Sequence, residues 1–140
     1  MHEDVLSQVP LFAHLSKRDL QVLASSCRER DYPAGAPLLR QGDTGVGLFV
    51  IVSGRVRVTQ HQHGGDEQEL ATLGSGEVLG EMSLLDDLPR SASAMALEPT
   101  QALVLPVWDF RAILRDNPDI GIGLLSVLSR RLRGAENRPN

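Results

Sequence analysis

The sequence predicts an α+β fold, an antiparallel β-roll of jelly-roll type flanked by N-terminal and C-terminal helices. Three observations predict it. Residues 4–30 carry apolar side chains at helical spacing. Residues 31–106 break into short alternating runs divided by glycine turns, and residues 107–133 return to helical spacing.

In the first segment Val5, Leu6 and Val9 precede Pro10, and Leu11, Phe12 and Leu15 continue the apolar face. Ser16 is placed to cap the next helix, with Asp19 three residues on, ahead of Leu20, Val22, Leu23 and Cys27. Two or three short helices packed on something larger follow, and core packing rather than a partner surface accounts for their apolar face.

From Asp31 the period changes. Pro33, Gly35 and Pro37 punctuate a short strand at 37–40, and residues 41–45 form a turn. Residues 48–52 are continuously apolar, as in a buried strand, and Gly54 ends the run. Arg55-Val56-Arg57-Val58-Thr59 alternates, as a half-buried strand does. Gly64-Gly65 closes a hairpin onto residues 69–73, and Gly74 and Gly76 lead into Val78-Leu79. Alternation resumes at Ala92, Ala94 and Ala96 and again over 102–105, which gives the roll.

Residues 107–115, with Trp108, Phe110, Ile113 and Leu114, predict a helix that breaks at Asn117-Pro118. Over 119–133, Ile120, Leu124, Leu128 and Leu132 recur four apart as a slowly drifting apolar stripe. Arg130, Arg131 and Arg133 suit the C-terminal end of the helix dipole, Gly134 is the expected stop, and residues 134–140 read as a flexible tail.

At 140 residues the chain is one domain with room for a real core, and 41% apolar and 23% charged residues are ordinary for a soluble protein. A net charge of −4 gives no electrostatic reason to expect DNA or an anionic membrane as partner; Lys17 is the only lysine. The single cysteine, Cys27, excludes an intramolecular disulfide and is expected to be a buried, inert thiol. The acidic start MHEDVLSQVP is neither a signal peptide nor an anchor, and no run approaches the ~20 apolar residues of a spanning helix. A cytoplasmic protein is the expectation.

The stretch 79–92, LGEMSLLDDLPRSA, carries the chemistry. Gly80 allows close backbone approach to a ligand. Glu81 suits a pair of sugar hydroxyls and repels a bare phosphate. Residues 82–86 can make one helical turn whose amides face the same space, and Pro89 ends it. Arg90 and Ser91 add a guanidinium and a hydroxyl. Together they are a receptor for a sugar phosphate. Taken alone, Arg90 would be read as a surface ion-pair partner of Asp86 or Asp87, and it is the complete cassette that favours a ligand role; Glu81 could cap the short turn as well as bind.

With that stretch set between two strands of a roll, the chain resembles the cyclic nucleotide-binding domain family, which includes the catabolite activator protein, protein kinase A regulatory subunits and cyclic-nucleotide-gated channels. Gly42, Gly54 and Gly80 match the family's turn glycines. Gly80-Glu81 and Pro89-Arg90-Ser91-Ala92 match its phosphate-binding cassette, and Phe110-Arg111 through Asn117-Pro118 matches the lead into the last helix of the bacterial regulators. The resemblance covers about Leu6 to Leu132.

The resemblance implies a ligand, cAMP or cGMP, and no required cofactor or metal. It implies Arg90 on the cyclic phosphate, Glu81 on the ribose 2′-hydroxyl, and amides around Gly80, Met82, Ser83, Ser91 and Ala92 as the phosphate cradle, with the Ser91 hydroxyl adding a contact. Leu73, Leu79 and Leu84 would wall the pocket. Arg131 would reach the ribose or Glu81, or lie solvated at a helix end. Leu79 stands where the family commonly has an aromatic residue. In the catabolite activator the last helix runs on, dimerises and sets two hydroxyl residues over adenine, at positions that fall here on Ala135 and Glu136. No helix-turn-helix follows in the chain, so direct nucleic-acid binding is not expected. Nor is an association with membranes. An effector protein, or a weak homodimer through the C-terminal helix, is the partner the resemblance allows.

Two further readings compete. Gly54, His61-x-His63, Glu67 and Gly74 nearly reproduce the first motif of metal-binding cupins, and two histidines two apart on a strand share a face. The second cupin motif is absent, and the pair sits at the mouth of a hairpin. Alternatively the same fold serves as a nucleotide-independent protein-interaction module, against which the Glu81 and Arg90 pair argues. No nucleophile–base constellation is legible, so the chain is not read as an enzyme.

Overall fold

The computed structural model describes residues 2–44, 47–62, 65–81, 83–86 and 88–136. In chain order the elements are α1 (His2–Leu6), a 3-10 turn (Pro10–Phe12), α2 (Lys17–Ala24), β1 (Arg28–Tyr32), β2 (Pro37–Leu39), β3 (Gly47–Ser53), β4 (Val56–His61), β5 (Glu67–Leu73), β6 (Val78–Leu79), α3 (Ser83–Asp86), β7 (Ser93–Ala96), β8 (Thr100–Pro106), α4 (Val107–Asp116) and α5 (Pro118–Glu136).

The two most apolar runs, β3 and β8, pair antiparallel, with Leu48 opposite Leu105 and Val50 opposite Leu103. They occupy the middle of a four-stranded sheet ordered β1-β8-β3-β6; β2-β7-β4-β5 form the second sheet. Both faces of the β3–β8 pair are covered, which is why their sequences are apolar throughout rather than alternating. Leu48, Val50, Leu103 and Leu105 point to a core shared with Leu6, Leu11, Phe12, Leu23, Phe110, Ile120 and Leu124 of the helices. Phe49, Ile51, Ala102 and Val104 point the other way, into the roll, against Leu39, Val56, Val58, Ala94 and Ala96. The predicted β-roll between helices is the observed architecture.

Local chemistry sets the element ends. Ser16 Oγ accepts the Asp19 amide at 3.1 Å and starts α2, as the spacing predicted. Gly54 sits at φ +101, where a Cβ would lie 2.4 Å from Thr100 Oγ1, so the turn after β3 requires glycine.

Several boundaries differ from the sequence reading. Residues 28–30 are strand, not helix: β1 is an edge strand whose first four residues, Arg28 to Asp31, are charged and exposed, so it leaves no apolar period to read. The first α-helix starts at His2. Gly134 does not stop the last helix, which continues through Ala135 to Glu136, so the tail does not begin at 134. Gly134 lacks the left-handed backbone of a helix-ending glycine, and an interior glycine costs a helix only about 1 kcal/mol. Residues 137–140 lie outside the described residues.

Candidate functional site

β6 leaves the first sheet at Leu79, and β7 enters the second at Ser93. The intervening cassette therefore crosses the mouth of the roll, and a cavity of about 440 Å³ opens beneath it. Leu39, Val58, Leu70, Val78 and Leu79 give it apolar walls. Its polar rim is Gly80, Glu81, Ser83, Arg90 and Ser91, closed by Ala92.

Arg90 is the buried cation of this rim, with 5% of its surface exposed. Its Nη2 donates to the Gly47 carbonyl, while Nη1 has no hydrogen-bond partner among the described residues. Gly80 makes room for it. With φ at +77, a Cβ on residue 80 would lie 2.0 Å from Arg90 Nη1 and 2.7 Å from the Gly47 oxygen. Burial pulls the Arg90 guanidinium below the ordinary arginine range, opposed in part by the Asp86 carboxylate. A buried cation with an unused donor has the chemistry to hold an anion.

Glu81 stands beside it. One carboxylate oxygen, Oε2, accepts the Leu11 amide at 3.0 Å, and Oε1 lies 2.7 Å from Arg131 Nη1 of α5. The preceding residue of α5 is also fastened to the N-terminal segment. Arg130 Nη1 lies 2.6 Å from His14 Nε2, which must accept because a guanidinium has donors alone. The cassette, the N-terminal helices and α5 thus meet at one carboxylate.

Of the residues singled out from sequence, Leu79, Gly80, Glu81, Ser83, Arg90, Ser91 and Ala92 line the cavity, and Arg131 reaches its rim through Glu81. Two expected walls do not. Leu73 packs half-buried against the interior of the roll outside the cavity, and Leu84 is buried in the helix-side core. Leu84 faces away because α3 is a single turn, and its apolar side docks on the helices. Met82 and Asp87 lie outside the described residues. Leu39, Val58, Leu70 and Val78 are walls that sequence reasoning missed. Leu39 and Val58 were legible as apolar residues of their strands, but which of those faces meets the cavity is set by the closing of the roll.

The cupin motif fares differently. His61 Nε2 lies 3.8 Å from Glu67 Oε2, with both side chains about half exposed, and His63 is outside the described residues. Among the described residues no group of three His, Cys, Asp or Glu side chains could hold a metal ion. Among them, too, no helix is long and apolar enough to cross a membrane.

Residues 29–117 match the profile of the family described as "Cyclic nucleotide-binding domain". The chain belongs to the cyclic nucleotide-binding domain family. It is 44% identical over 127 residues to the cyclic AMP receptor protein of Thermus thermophilus, covering 91% of this chain and 59% of that protein. The N-terminal domain of a transcriptional regulator from Streptomyces coelicolor A3(2) superimposes with a TM-score of 0.86 at 35% identity, covering 96% of this chain and 94% of that one. The cAMP-bound PfPKA-R superimposes with a TM-score of 0.73 at 28% identity, over 79% of this chain and 39% of that one. The chain spans about three fifths or less of the length of the curated relatives it matches.

Proposed function

We propose that this domain is a regulatory sensor that binds a 3′,5′-cyclic nucleotide, cAMP or cGMP, beneath the cassette and responds through α4 and α5. The observation that carries the reading is the buried Arg90 on the cavity rim, whose Nη1 has no hydrogen-bond partner among the described residues. A cyclic phosphodiester brings one negative charge and acceptor oxygens to that donor, a bond worth about 1.5–3 kcal/mol. The ribose 2′-hydroxyl donates to Glu81, and the apolar walls take the base. A phosphate monoester carries close to two charges at neutral pH and sits less well beside the Glu81 carboxylate. AMP is therefore the discriminating control.

The response follows from the same carboxylate. Glu81 already holds the Leu11 amide and Arg131, so a hydroxyl arriving there changes what α5 and the N-terminal segment are tied to. Such a ligand shifts the helices by its difference in affinity between their arrangements.

Calorimetry with cAMP, cGMP and AMP tests this. The expected result is micromolar or tighter binding of a cyclic nucleotide, about −8 kcal/mol or better, with AMP weaker and Arg90→Leu losing about 10- to 100-fold. No heat with either cyclic nucleotide, and no change in Arg90→Leu, would overturn it.

A further inference from the structure

The segment that presents Arg90 and Ser91 is not part of a strand; regular pairing resumes at Ser93. What holds its backbone is a closed ring of hydrogen bonds. The Arg90 amide donates to the Asp43 carbonyl at 2.8 Å, and the Gly42 amide donates to the Arg90 carbonyl at 2.9 Å. Next in the chain, Gln60 Nε2 donates to the Ser91 carbonyl at 2.9 Å, and the Gln41 amide donates to Ser93 Oγ at 2.8 Å.

The turn that grips Arg90 is itself anchored by a side chain. Gln41 Nε2 donates to the His61 carbonyl at 3.0 Å, and the His61 amide donates to Gln41 Oε1 at 2.8 Å. One carboxamide thereby satisfies both backbone groups of the last residue of β4, as a paired strand residue would. Gln60, its neighbour on β4, completes the circuit to Ser91. The path runs from the end of β4 through Gln41, Gly42 and Asp43 to Arg90 and Ser91, and returns through Gln60.

We propose that Gln41 and Gln60 are positioning residues for the anion site, fixing the Arg90–Ser91 backbone so that the guanidinium meets the cavity at one place. The inference rests on the cyclic-nucleotide reading for its ligand but not for its geometry. Both glutamines use a carboxamide where an apolar side chain of the same length would leave the fold's two cores untouched.

The test uses Gln41→Met and Gln60→Met in the whole chain, with three measurements. Calorimetric cAMP affinity falls about tenfold in each variant, while the thermal midpoint stays at the wild-type value. Hydrogen exchange at the Arg90 amide accelerates, whereas the amides of Val50 and Leu103, in the central strand pair, exchange as in wild type; a merely structural loss would speed all three. Restoring the carboxamide one methylene shorter, as Gln41→Asn, does not rescue, since it no longer spans both His61 groups. Affinities within about twofold of wild type in both Met variants would overturn the proposal. If the wild-type chain binds neither cyclic nucleotide, the functional reading fails by itself, and exchange decides the positioning: an Arg90 amide equally protected in both variants would overturn it.

Discussion

Glu81 and Arg131, fifty residues apart, form an ion pair 2.7 Å long that ties α5 to the cassette. The carboxylate is mostly shielded, at 14% exposure, and the guanidinium less so, at 36%. The two ends of the pair therefore differ in what their removal leaves behind.

Arg131→Leu removes a partly exposed charge and should destabilise the fold by no more than about 1 kcal/mol, less at high salt. Glu81→Leu also strands the part-buried Leu11 amide and should cost about 1–3 kcal/mol. Urea unfolding of both variants decides it. A Glu81 variant no less stable than the Arg131 variant would contradict the shared-carboxylate arrangement.

Gly80→Ala should be far worse than Gly42→Ala. Both glycines have positive φ, +77 and +92, so both pay the left-handed backbone penalty of about 1–2 kcal/mol. A Cβ on residue 42 meets nothing within 4 Å, whereas on residue 80 it collides with the Arg90 guanidinium and the Gly47 carbonyl. Overpacking adds about 1–3 kcal/mol there and displaces the cation that the cavity needs. Comparable unfolding midpoints for the two variants would show that Arg90 is not packed against Gly80.

Cys27 should be chemically silent in the native protein. Burial pushes its thiol from the ordinary 9.0 up to about 12, with Asp109 adding to the rise. A disulfide reagent at pH 8 should label it slowly in buffer and rapidly in urea. The sign of the linkage follows. The raised folded-state pKa gives a contribution that is fully present below pH 9 and is lost as pH rises from 9 to about 12, because the unfolded thiol ionises first. Cys27→Ala should flatten that alkaline decline, and an unchanged slope would sink the account.

The roll was readable because its strands alternate or are apolar outright, and because glycines stand where φ is positive. Gly54 and Gly80 could be placed from sequence, and their surroundings in space explain why no other residue would serve. β1 was not readable, since a charged edge strand pairs by backbone alone. The cassette residues stood together in the sequence, so their convergence followed from one loop. The Leu11 amide, the Gly47 carbonyl and the side chain of Gln41 did not. Each acts on a partner 43 or 70 residues away, or on a backbone group 20 residues away, and nothing in residue type announces it. A contact made by a backbone atom leaves no mark on the sequence of the residue that supplies it.

The β3–β8 pair has an apolar layer above it, another below it, and a neighbouring strand on each side. Its amide hydrogens have no local route to solvent, so they exchange when the whole molecule opens and set the ceiling of its protection. Ile120 and Leu124 of α5 and Leu84 of the cassette rest on one face of that plate.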